Sequence, residues 1–126
     1  MHNMMIRKES SLRVKSEAFA GRIVKLYGYL TKTKKESVMA KQVYRSGTSI
    51  GANIAESRNA QSPADFISKL SIALKESGET EYWLKSLHEG GYLDDAEFDS
   101  IYSDNVEIGK MLTSSIKTMK RKMGLL

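Results

Sequence analysis

The chain has no cysteine, one proline and two histidines in 126 residues. Without cysteine there can be no disulfide framework and no thiolate metal site, a usage that fits a reducing cytoplasm. His2 lies at the N-terminus and His88 near the end of an expected helix. Neither has a neighbour at metal-ligand spacing, so no metal is expected. No run of about 18 apolar residues occurs, and the opening MHNMMIRKESS lacks the apolar stretch of a signal peptide; neither a membrane span nor a leader is expected. There is no G-x-x-x-x-G-K-S/T loop and no G-x-G-x-x-G after a strand. Serines are plentiful but lack an evident base, the seven methionines read as core filler and termini, and Asp94–Asp95 is explained by helix capping. The expectation is a non-enzymatic cytoplasmic protein without cofactor.

What is present is charge, unevenly spread. The net +5 conceals +8 over residues 1–63, −7 over 64–116 and +4 over 117–126. Such a split suits either a half that binds polyanions or subunits that pair a basic flank with an acidic one. The length suits one domain with a real core, assigned to 11–126 after a flexible segment 1–10.

Scarcity of proline permits long helices, and the apolar spacing is helical throughout. The spacing predicts helices over roughly 11–32 (Leu12, Phe19, Ile23, Leu26, Leu30), 37–60 (Met39, Val43, Ile50, Ile54), 63–89 (Phe66, Leu70, Ala73, Leu74, Ser77, Leu84) and 95–122 (Phe98, Ile101, Tyr102, Ile108, Leu112, Ile116, Met119). Two junctions carry explicit signals. Ser62 is placed to cap a helix that has Pro63 at its first position and Asp65 at its third. After the Gly90–Gly91 stop, Asp94 and Glu97 form a capping-box pattern, with Leu93 placed to staple onto Phe98. Short connections make neighbours antiparallel, giving an all-α, up-down-up-down four-helix bundle.

The second helix is unusual in tolerating Gly47 and Gly51, each costing up to ~1 kcal/mol against alanine. On a helical wheel, Ala40, Gly47, Gly51 and Ala55 form a small-residue stripe beside the core stripe, and Gln42, Ser49, Asn53 and Glu56 lie on its other side. Small stripes admit another helix backbone at close range. Three occupied faces are more than a lone bundle needs, so the stripe points to self-assembly. Ile72 and Trp83 add to this, falling opposite the core stripe of the third helix as a contact surface; the competing reading is that Trp83 merely lies flat on the surface or covers a helix end. Glu81 falls on the core stripe, where a carboxylate needs a partner, and Asn53, Ser49 or Arg45 are candidates for a structural polar network.

The run QVYRSGTSIGANIAES resembles the signature of bacterial four-helix bundle proteins encoded within intervening sequences of 23S ribosomal RNA genes, often labelled S23 ribosomal proteins. The matching positions are Gln42, Arg45, Ser49, Ile50, Asn53, Ile54, Ala55 and Glu56, with Ser57 where glycine is usual. The flanks SEAFAGRIVKLYGYLTKTKKES and DFISKLSIALKESGETEYWL are similar to the family's first and third helices, so the resemblance covers roughly residues 12–93. It implies a ring of bundles, typically a homopentamer, without implying membership of a ribosome. A structurally similar protein is the accessory protein of diversity-generating retroelements, a basic pentameric barrel that binds nucleic acid and a reverse transcriptase. A closed ring needs a heterologous interface, which the charge split can supply.

The basic positions are therefore the candidate nucleic-acid contacts. Arg22, Lys25, Tyr29 and Lys32 share one strip of the first helix, with Lys34 and Lys35 just beyond. Lys41 and Arg45 share the outer face of the second, and Lys117, Lys120, Arg121 and Lys122 close the fourth. Arg45 is open between a salt bridge at a subunit interface and a phosphate contact. The expected function is RNA or DNA binding by a ring-forming bundle, as an accessory to a nucleic-acid enzyme such as a reverse transcriptase. The alternative is a protein scaffold that binds no nucleic acid.

Overall fold

The computed structural model describes residues 2–126, with side chains from Ser10 onward. It holds four helices: α1 His2–Lys32, α2 Val38–Ser57, α3 Pro63–Glu89 and α4 Asp95–Lys122, with no strand among the described residues. The backbone of α1 is already helical at His2, ahead of the expected start at 11. The expected flexible segment falls mainly on residues 1–9, whose side chains lie outside the described residues. The second helix stops at Ser57 rather than 60, with Arg58 as its C-cap.

The two capping signals are realised. Asp65 N–H donates to Ser62 Oγ at 3.0 Å, and Asp94 and Glu97 exchange both bonds of a capping box at 2.7 and 2.8 Å. The start of α2 is capped differently. Ser37 makes no side-chain cap. Instead the buried Glu36 carboxylate accepts from Ala40 N–H at 2.9 Å and Val38 N–H at 3.2 Å, placing negative charge at the positive helix end.

The apolar stripes of all four helices meet in one core. Phe19, Ile23, Leu30, Val43, Ile50, Leu70, Leu84, Leu87, Ile108 and Leu112 are essentially inaccessible. Each such side chain contributes about 1.5–3 kcal/mol by leaving water, so this layer dominates the stability. Phe98, Tyr102, Leu74, Met39 and Met119, expected in the core, are only half-buried and flank it. Polar residues complete the layer: Thr80 and Ser46 hydroxyls meet at 3.0 Å. Asn105 is bound to Ser77 twice, accepting from Ser77 Oγ and donating to Ser77 C=O, both at 3.0 Å. No buried side-chain polar atom among the described residues lacks a partner.

The helix carrying the glycines is packed by its own chain. A β-carbon on Gly47 would lie 2.8 Å from Ile23 of α1, and one on Gly51 would lie 3.6 Å from the Ser16 carbonyl oxygen. So the close approach anticipated for the small-residue stripe is made by α1, and a second copy is not needed to fill it. Ala55, at the end of that stripe, is exposed.

Candidate nucleic-acid interface

Part of the charge split is met inside the molecule. Asp104 of α4 sits between two cations of α1: Arg22 donates to it at 2.6 Å and Lys15 lies 3.5 Å away. Lys15 also reaches Glu107 at 3.0 Å. That bond is the main reason its pKa is raised; burial works against it and Asp104 adds to it. Arg22 is tied further to Ser100, at 2.9 Å to Oγ and 3.3 Å to the carbonyl.

On the opposite side of the bundle Arg45 of α2 contacts two carboxylates of α3, Glu76 at 3.4 Å and Glu79. Glu79 also accepts from the Trp83 indole N–H at 3.4 Å. Glu76 is only 12% exposed, so Arg45 supplies the neutralising charge it needs. Glu56 pairs with Lys69 at 3.5 Å, and the Asn53 amide donates to the Ser49 carbonyl of its own helix at 2.9 Å. Arg22 and Arg45 are thus held by acidic neighbours rather than offered to a ligand.

Glu81 corrects the sequence reading. Its partner is neither Asn53, Ser49 nor Arg45 but Tyr102 of α4, whose hydroxyl donates to it at 2.7 Å. That bond, reinforced by burial, raises the Tyr102 pKa. The core position of this turn belongs to Thr80. Beyond Tyr102 the rings stack: Tyr102 on Phe98 at 4.8 Å, and Phe98 on His88 at 4.3 Å. His88 lies 2.7 Å from Asp95, locking the end of α3 to the start of α4.

The remaining cations differ. Lys25, Lys32, Lys34, Lys35 and Lys41 are all exposed, and none makes an ion pair among the described residues. They gather around the end of α1 and the turn into α2. Lys34 Nζ lies 5.8 Å from the centre of the Tyr29 ring, within cation–π range. Lys35 takes φ 57°, a left-handed conformation unusual for a residue with a β-carbon.

Lys117 and Arg121 are exposed and Lys120 half-exposed, while Lys122 has a partner of its own. They lie at the other end. Met119 lines a groove with the α2–α3 turn, whereas Ala96 and Glu97 line one with Tyr29. The rise of α4 between those points is roughly 30 Å. The predicted basic positions therefore form two terminal clusters, not one patch.

The second groove is an open seam of about 580 Å³ between α1 and α4, bordered by Arg22, Lys25 and Tyr29 on one side and Glu97 and Ser100 on the other. On α3, Ile72 and Tyr82 are exposed and Trp83 is half-buried, packed against the core edge and edge-on to Tyr82 at 4.9 Å. Tyr82, the most exposed of these, was not anticipated; its 62% exposure beside a tryptophan is the signal. Among the described residues no His/Cys/Asp/Glu group is arranged to hold a metal, and no helix is long and apolar enough to cross a membrane.

Comparison with known proteins follows the same line. The family model described as 23S rRNA-intervening sequence protein matches residues 8–114. A crystal structure of a protein with unknown function, from the S23 ribosomal protein family of Bacteroides thetaiotaomicron, is similar with 55% identity and a TM-score of 0.87. The match covers 87% of this chain and 98% of that one. No curated protein matches significantly.

Proposed function

The chain belongs to the 23S rRNA-intervening sequence protein family, and from that footing we propose that it is a non-enzymatic, self-assembling bundle that binds RNA or DNA through exposed lysines. In this reading the helices run up-down-up-down. The order of paired residues supports it: Lys15 and Arg22 of α1 meet Glu107 and Ser100 of α4, and Arg45 and Lys69 meet Glu76 and Glu56 across α2 and α3. Copies associate into a ring, a homopentamer on the family resemblance, in the cytoplasm.

The observation that carries the binding reading is the α1–α2 turn. Its lysines make no ion pair while the arginines nearby are neutralised, and Lys35 occupies a backbone conformation in which glycine costs less. Surface charge kept at a conformational cost is charge that something uses. Because the contacts are to phosphate, binding is salt-sensitive and weakly selective for sequence. Fluorescence anisotropy with short RNA and DNA against salt tests it; absence of binding at low salt defeats it. Sedimentation as a single chain at high concentration defeats the assembly.

A second reading, a protein scaffold, is favoured by the exposed Ile72 and by the exposed Tyr82 beside Trp83. Pull-down after nuclease treatment separates the two: partners of a scaffold, including any reverse transcriptase, persist, while those bridged by nucleic acid are lost.

A further inference from the structure

We propose that the seam between α1 and α4 receives an unpaired nucleobase, so that the nucleic acid bound is single-stranded; this rests on the phosphate-binding reading above. The floor of the seam is apolar, made by the buried Leu26, Leu93 and Ile101. Its volume of about 580 Å³ lies within the range of pockets that enclose small organic ligands.

The two walls differ in sign. Along α1 run Lys25 and Tyr29, with Lys34 beside the Tyr29 ring. Along α4 stand the exposed Glu97 and the hydroxyl of Ser100. A phosphate chain is repelled by the α4 wall and drawn to the α1 wall, which turns its bases inward toward the floor and Tyr29. Arg22 reaches from α1 to Asp104 and Ser100 of α4 and bounds the seam on that side. An aromatic face beside a cationic track is the arrangement by which single strands are held, because every base offers a face to stack. Paired bases in a duplex are already stacked and present only phosphates to such a seam.

A labelled oligouridylate and a labelled duplex of equal length, titrated against the full chain at low salt, test this. The single strand is expected to bind more tightly. Tyr29→Leu, which keeps apolar bulk, is expected to weaken it about fivefold or more while leaving duplex affinity within about twofold. Tyr29→Phe, which keeps the ring, is expected to retain the single-strand affinity. Circular dichroism checks that each variant is folded. Equal affinity for both nucleic acids, with Tyr29→Leu silent or weakening both alike, overturns the seam and leaves the phosphate reading standing. Failure of both to bind overturns the two together.

Discussion

Gly47 of α2 faces Ile23 of α1 so closely that a β-carbon would lie 2.8 Å from both its Cγ1 and its Cδ1. Ile23 is fully buried and β-branched, so it cannot swing aside. Gly47→Ala is therefore expected to destabilise the fold by about 1–3 kcal/mol of overpacking, offset by up to ~1 kcal/mol of helix propensity. Gly51→Ala meets the Ser16 carbonyl at an ordinary 3.6 Å and is expected to be neutral or slightly stabilising. Urea unfolding of the two variants checks the contrast. Equal effects at both positions would show that α1 does not approach as described.

The pair Asn105–Ser77 ties α4 to α3 inside the core through two bonds of 3.0 Å. Asn105→Ala removes both and leaves the Ser77 hydroxyl with weaker options at a buried position. The expected cost is about 2–3 kcal/mol. Ser77→Ala should cost less, and the double variant less than the sum, with a coupling of about 1 kcal/mol. Additive losses in denaturant unfolding would count against a cooperative pair.

Asn105 also marks the limit of what the sequence disclosed. Apolar periodicity located the four helices and most of the core, because Leu, Ile and Phe at helical spacing have one favourable destination. Caps at Ser62 and Asp94 were legible because their partners are three residues away. Asn105, Thr80 and Ser46 escaped notice, since their places in the core depend on partners from another helix. The same holds for Glu81 of α3, whose partner Tyr102 lies on α4. Glu36 was missed because it sits one residue before the N-cap position. Among the basic candidates, residue type alone could not separate Arg22 and Arg45, held by acids of distant helices, from the exposed lysines of the turn.

Alkaline pH should loosen the two helix contacts that share a raised pKa. Tyr102 is raised from its ordinary 10.0 by the bond to Glu81 and then by burial. Lys15 is raised from 10.5 chiefly by its bond to Glu107. Both hold their proton more tightly when folded, so their stabilisation is complete below the unfolded pKa and is lost as pH rises through the folded one. Urea midpoints measured from about pH 8 to about pH 11 should fall. In Tyr102→Phe the fall should be shallower, since Glu81 no longer shares a proton; an unchanged slope would show that the Tyr102–Glu81 bond does not form in solution.

Lys35 and Arg45 should respond to substitution in opposite ways. Lys35 carries its β-carbon at φ 57°, a strain that glycine removes, so Lys35→Gly is expected to stabilise the fold by up to about 1 kcal/mol. If the turn meets phosphate, the same change weakens nucleic-acid binding and lowers the slope of log affinity against log salt by about one. Arg45→Gln leaves Glu76, nearly buried, without its cation, and should cost about 1–3 kcal/mol of stability. It should leave the salt slope unchanged, because Arg45 already spends its charge on Glu76 and Glu79. Thermal or urea unfolding reads the first effect and anisotropy against salt the second. A stabilised Lys35→Gly that binds as well as the parent chain would leave the left-handed lysine a local accident and remove the main support for the α1–α2 turn as the phosphate contact.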